Sequence, residues 1–123
     1  MNGTKYLLDT NIILFVVFGD KTISDFLHLK DIYISVITEI ELFGFRKLSQ
    51  KEENEIKELI AEFRLIQLDN AVKNETILLR KTYNLKLPDC IIAATAITWN
   101  LTLVSADKQF KQIKKLALEI YEP

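Results

Sequence analysis

KYLLDTNII, residues 5–13, decides how this chain is read. It is a short apolar strand that stops on a carboxylate, Asp9, and passes at once into a second apolar stretch, IILFVVF at residues 12–18. Taken alone, Asp9 is an ordinary polar residue at a strand end. Its meaning depends on whether other acids, distant in sequence, fall at equivalent places in the fold.

Working outward, hydrophobic periodicity gives a regular alternation of strands and helices. Strand KYLLD (5–9) is followed by a helix from about Ile12 to Phe18, a turn at GDK (19–21) and a short helix TISDFLH (22–28). Strand IYISVI (32–37) leads into a helix from Thr38 to about Leu48, and QKEENEIKELIAEF (50–63) carries Ile56, Leu59, Ile60 and Phe63 on the single stripe of an amphipathic surface helix. Strand RLIQLD (64–69) precedes the helix that begins at NAVKNE (70–75). Pro88 suits a first helical position, and DCIIAATAITW after it is apolar nearly all round, as expected of a helix packed inside a protein. Strand LTLVSA (101–106), helix DKQFKQIKKL (107–116) and strand LEIYE (118–122) complete the pattern. This predicts an α/β fold with a parallel sheet, right-handed crossovers and helices on both faces. Ligands in such sheets bind at the carboxyl ends of the strands, where the strand order switches.

The chain has 123 residues, the size of one ordinary domain, and we read residues 1–123 as a single unit without repeats, linkers or low-complexity segments. One cysteine, Cys90, rules out an internal disulfide and suits a reducing cytoplasm. No secretory leader is evident, and the longest apolar run is far short of a membrane span, so a soluble protein with no membrane partner is expected. The net charge of -1 and a pI of about 5.9 exclude a strong overall attraction to nucleic acid; any contact must be local. Lys108, Lys111, Lys114 and Lys115 form the clearest basic cluster, although such a run usually marks a solvated face. A hydrophobic content of 49% favours a full core and leaves room for an apolar partner surface.

Four acids stand out. Asp9 and Asp107 each follow a predicted strand and would project toward the same sheet edge. Asp89 opens the buried helix, where the positive end of the helix dipole favours a carboxylate. Glu41 shares a stripe with Ile37, Phe45 and Leu48, which would turn it toward the core. Singly, each has a bland reading as a turn, capping or ion-paired residue. Converging without a cation, they would repel one another and lose hydration, and nothing in the sequence puts an Arg or Lys beside all of them. A divalent cation resolves the conflict. Oxygen-only ligands with no nearby His or Cys suit Mg²⁺ or Mn²⁺, the arrangement of metal-dependent nucleases. Thr10 and Asn11 could cap the next helix or hold Asp9 in place, and Ser35 and Thr38 invite the same choice.

At these residues the sequence resembles the PIN-domain nucleases, in particular the small VapC-type toxins of VapBC toxin–antitoxin pairs. LLDTNI carries Asp9, SVITEIELFG matches an S-x-x-T-x-x-E-L-x-x-G pattern that selects Glu41 over Glu39, LPDCIIAATAI carries Asp89, and LVSADKQF carries Asp107. The motifs span residues 7 to 110. The resemblance implies a three-layer PIN-like fold with a five-stranded parallel sheet, Mg²⁺- or Mn²⁺-dependent endoribonuclease activity on RNA, a homodimer, and a cognate antitoxin protein that covers the site. It implies Asp9, Glu41, Asp89 and Asp107 as metal-holding catalytic residues, supported by Thr10, Asn11 or Ser35. Two departures matter. Ala106 stands where a basic residue is common in the last motif, and the mild acidity puts any substrate grip on residues such as Arg46, Lys47 or Lys108, or on a partner subunit.

Rival α/β readings fit less well. A phosphoacceptor receiver domain wants paired acids after its first strand, whereas LLDTN offers one. A haloacid-dehalogenase-type phosphatase wants Asp two residues after its nucleophile, where Asn11 stands. A non-toxin PIN nuclease, or a PIN-like protein-binding module without catalysis, remains the alternative. His28 lacks a Ser or Cys triad and reads as a surface residue; Cys90 reads as a small core residue.

Overall fold

The computed structural model describes residues 3–123. Five strands form one sheet: β1 (Lys5–Leu8), β2 (Asp31–Ser35), β3 (Arg64–Ile66), β4 (Thr102–Ser105) and β5 (Leu118–Ile120). Their order is β3-β2-β1-β4-β5, with every neighbouring pair parallel. The connections hold α1 (Thr10–Val17), α2 (Lys21–Leu27), α3 (Val36–Phe43), α4 (Gln50–Ile60), α5 (Asn70–Thr82) and α6 (Leu87–Trp99), with a short 3-10 helix at Lys108–Gln112 leading into β5. The expected three-layer α/β fold is present.

The two faces of the sheet follow from the period of two along each strand. Leu7, Tyr33 and Leu103 point to one side and pack with Val72 and Leu79 of α5 and Ile92 of α6. Their chain neighbours Leu8, Ile32, Ile34 and Val104 point to the other and pack with Ile12 of α1, Ile23 of α2, Leu42 of α3 and Ile56 of α4. Because β1 is covered on both faces, Leu7 and Leu8 are both fully buried, which is why this strand is apolar at consecutive positions. In α6, every residue from Cys90 to Ala96 is buried, and the alanines allow it to lie close against α5 and the sheet. Cys90 is the core residue expected. His28 is exposed at the end of α2, also as expected.

Several boundaries differ from the sequence reading. The third helix stops at Phe43 rather than Leu48, because two local signals conflict. Gly44 caps α3 so tightly that a Cβ there would lie 2.9 Å from the Ile40 carbonyl oxygen, and Ser49 forms a reciprocal capping box with Glu52 that starts α4 afresh. Phe45 is therefore outside the helix and 49% exposed, while Leu48 packs into the core beneath α4. Val36 and Ile37 belong to α3, since Ser35 already caps that helix. The first helix begins at Thr10, two residues early, with Asp9 as its cap. Pro88 is the second helical residue of α6, not the first. The expected helix over 107–116 is only a 3-10 helix, since Ile113 and Leu116 must turn inward before β5.

The lysine cluster is a partly paired, solvated face. Lys108 lies 3.4 Å from Glu122, and Lys115 lies 2.6 Å from Glu75 Oε2, an oxygen matched by this charge alone among the described residues. The Tyr121 hydroxyl sits 2.7 and 2.8 Å from the two carboxylate oxygens of Asp20, tying the C-terminal strand to the cap of α2.

Candidate active site

Strands β1 and β4 are neighbours, with Leu8 opposite Val104, and the strand order reverses between them. That is the switch point at which a doubly wound sheet opens a cleft. Asp9 stays on the ladder one residue past β1, its N–H donating to the Val104 carbonyl at 2.9 Å. It then turns the chain into α1 as the N-cap: its Oδ1 accepts from the Thr10 N–H at 2.8 Å. The capping role considered for Thr10 and Asn11 thus falls to Asp9 itself.

The second Asp9 oxygen meets a residue the sequence reading missed. Ser105, fully buried at the end of β4, donates its hydroxyl to Asp9 Oδ2 at 2.6 Å and accepts from the Asp107 N–H at 3.0 Å. One side chain therefore joins the loops after β1 and β4. Its signal was present in LVSADKQF, a serine at a strand end two residues before an acid, but only the register of β1 against β4 brings it to Asp9. Asp107 goes on to cap the 3-10 helix, accepting from the Gln109 N–H at 2.9 Å.

Glu41 arrives from α3. The buried side chains of that helix are Thr38 and Leu42, so the inward stripe runs one position away from Glu41, which is exposed at the cleft rather than turned into the core. Its Oε1 accepts the Thr10 hydroxyl at 2.7 Å, and Thr10 Oγ1 lies 3.2 Å from Thr38 Oγ1. Thr10 thereby ties α1 to α3. Ser35 is not part of the cleft wall. It accepts from the Ile37 N–H at 3.1 Å and so fixes the start of the helix that carries Glu41. Asp89 comes from the first turn of α6, where unpaired helical N–H groups favour a carboxylate.

All four acids line one cleft of about 410 Å³, together with Thr10 and Asn11 and an apolar wall of Leu14, Leu42 and Phe45; among the described residues no Lys or Arg lines it. The electrostatic consequence is visible in two of them. Burial pushes the Asp9 carboxyl up, opposed by the Ser105 and Thr10 hydrogen bonds, with Glu41 and Asp107 adding repulsion. Burial likewise raises Asp89, to about 6, reinforced by repulsion from Asp9, Asp107 and Glu41 and only partly offset by Lys86. Among the described residues, no three His, Cys, Asp or Glu side chains are drawn together tightly enough to hold an ion as they stand. The donor set nevertheless fits a hard divalent cation: it is all oxygen, only partly compensated, and placed at one opening. Neutralising this charge would relieve both raised carboxyls.

Comparison with known proteins agrees with this geometry. The PIN domain family model matches residues 6–116. No curated protein matches the sequence significantly. Among solved structures, the chain is similar to one in the VapBC2 complex of Rickettsia felis bound to a DNA fragment from their promoter, with a TM-score of 0.85, 26% identity, and coverage of 97% of this chain and 100% of that one. It is similar also to a chain of a toxin–antitoxin complex from Klebsiella pneumoniae, with a TM-score of 0.82, 30% identity, and coverage of 96% and 99%. The fold recurs in DNA-bound VapBC from Salmonella typhimurium, with a TM-score of 0.82, 24% identity, and coverage of 96% and 98%. With its four motif acids on one cleft and the family model spanning nearly its whole length, the chain belongs to the PIN-domain nuclease family and resembles the VapC-type toxins.

Proposed function

We propose that the protein is a Mg²⁺- or Mn²⁺-dependent endoribonuclease, and that it is the toxin of a toxin–antitoxin pair. The observation that carries this reading is the convergence of Asp9, Glu41, Asp89 and Asp107 on one cleft that no Lys or Arg among the described residues lines. We assign these four as the metal-holding catalytic residues. When bound, the cation supplies neutralisation of charge at the phosphodiester and acidification of the attacking water. The remaining roles are those of the chain itself. Ser105 and the Thr10 N–H fix both oxygens of Asp9, Thr10 holds Glu41, and Ser35 sets the start of α3. Asn11 contributes a polar side chain to the wall, and Leu14 and Leu42 contribute apolar ones.

The toxin reading rests on the named complexes to which the fold is similar. It carries with it a cognate antitoxin, a homodimer, a single domain over residues 1–123 and action in the cytoplasm. No helix among the described residues is long and apolar enough to cross a membrane, which is compatible with that location.

The test is cleavage of a labelled mixture of structured and unstructured RNAs with Mg²⁺, with Mn²⁺ and with chelator, beside Asp9→Asn. Cleavage should require the metal and fall in the variant by at least ~100-fold, beyond the ~10–100-fold typical of groups that only orient a ligand. Asp9→Asn should keep the fold, since it removes one of several crowded charges. Normal cleavage by a folded Asp9→Asn protein would refute the site assignment. Co-expression with the product of the neighbouring reading frame tests the pairing, an antitoxin being expected to abolish cleavage.

A further inference from the structure

From the apolar wall of the cleft we infer that Phe45 is a stacking platform for an unpaired nucleobase of the RNA. The inference rests on the nuclease reading above and deepens it. Phe45 is 49% exposed, yet it lines the same cleft as the four acids. A large aromatic left half in water beside a charged site loses much of the stabilisation that burial would give it, and it is available to a ligand with a flat apolar face.

Its placement is fixed by the backbone. Gly44 ends α3 in close contact with the Ile40 carbonyl, which breaks the stripe that would otherwise have carried Phe45 along the helix. Leu48 and the Ser49 capping box then anchor the far end of the connection from α3 to α4. Arg46 and Lys47 follow directly, both exposed, and neither forms an ion pair among the described residues. The cleft therefore offers carboxylates for a cation and an aromatic face, with two exposed cations next to that aromatic in the chain. A phosphodiester held at the acids places its adjoining base within the same cleft, where a π-face accepts any base without reading its edge, while Arg46 and Lys47 meet neighbouring phosphates. Within a duplex the base is stacked and paired, so this contact is lost.

The experiment is fluorescence anisotropy of labelled single-stranded poly-U and poly-A, and of an RNA duplex. Binding is measured to the full-length protein, Phe45→Ala, Phe45→Leu and Phe45→Trp in Ca²⁺, an ion of looser coordination geometry than Mg²⁺. Phe45→Ala and Phe45→Leu should both weaken single-strand binding by about 5- to 150-fold, the loss of one stacked base, and Phe45→Trp should restore it. Duplex binding should be alike in all four proteins. The Leu variant separates stacking from simple apolar contact, and an exposed position makes all three substitutions compatible with folding. Equal single-strand affinity in wild type and Phe45→Ala, or full affinity in Phe45→Leu, overturns the inference. So does the absence of single-strand binding by the wild type. Metal-dependent cleavage that survives unchanged in Phe45→Ala sinks this inference alone, whereas single-strand binding without cleavage in any metal sinks the nuclease reading alone.

Discussion

At its first turn helix α6 presents Asp89 to a cleft shared with three other carboxylates, whereas from Cys90 to Ala96 the same helix is buried among Leu7, Leu79 and Leu103. The two regions adjoin in sequence and are opposite in physics. In the buried segment each apolar side chain removes surface from water, and the one buried hydroxyl, that of Thr95, is satisfied by the Ile91 carbonyl at 2.7 Å. In the cleft, Asp9 and Asp89 are held with raised pKa values because burial and like charge both oppose ionisation. The core end stabilises the fold and the cleft end costs it stability, the relation expected where a site trades stability for function. Substitutions in the two places should therefore move stability in opposite directions.

The largest effect is expected in the buried segment. Ile92→Ala removes a side chain only 1% exposed and leaves a cavity between α6 and the sheet, costing ~2–5 kcal/mol. Urea denaturation should show a lower midpoint, while cleavage per folded molecule stays near wild type, because Ile92 is not among the residues of the cleft. A large loss of activity in the still-folded fraction would mean that core and cleft are not separable in the way the helix suggests.

Ser105 sits on the border between the two regimes, fully buried like the core yet bonded to two acids of the cleft. Ser105→Ala leaves Asp9 Oδ2 and the Asp107 N–H without these partners, and should cost ~1–3 kcal/mol of stability. It should also lower cleavage by ~10–100-fold through misplaced carboxylates. Ser105→Thr, which keeps the hydroxyl, should recover more of the activity than of the stability if positioning is the role. A variant that loses stability but cleaves normally would assign Ser105 to the core alone.

How far the sequence revealed each region follows the same divide. The core end of α6 was legible because burial on all sides leaves a local mark, a helix apolar nearly all round after a proline. The parallel sheet was legible from alternation, and Asp9 and Asp107 from their places after strands. What escaped depended on contacts between segments far apart in the chain. Ser105 reaches Asp9 across 96 residues, and Thr10 reaches Glu41 across 31. Glu41 was placed on the wrong side of its stripe because Phe45 and Leu48 continue a helical spacing that ends at Gly44, the C-cap of α3, where the lack of a Cβ allows a closeness to the Ile40 carbonyl that periodicity does not register. The motif resemblance selected Glu41 by pattern rather than burial, and Glu41 does line the cleft.

The smallest and most discriminating effect lies at Asp89. Its carboxyl titrates near 3.8 in the unfolded chain and at about 6 in the folded protein. Between those values the folded protein keeps a proton that the unfolded chain has released, so stability falls as pH rises through the window from about 3.8 to about 6, and the penalty is complete above it. The full difference would be worth ~3 kcal/mol, and solvent screening at a partly exposed carboxylate cuts this to ~1 kcal/mol. Without metal, Asp89→Asn should therefore be more stable than wild type by ~1 kcal/mol at pH 7, and the two should converge as pH falls below about 4. Thermal unfolding in chelator across that range measures the difference directly. Adding Mn²⁺ at pH 7 should reverse the order, since an ion that binds the folded site stabilises the protein by mass action and a neutral carboxamide is a poorer ligand than the Asp89 carboxylate. A variant no more stable than wild type in chelator would show that the cleft carboxylates are already compensated, and the contrast between the two ends of α6 would then rest on packing alone.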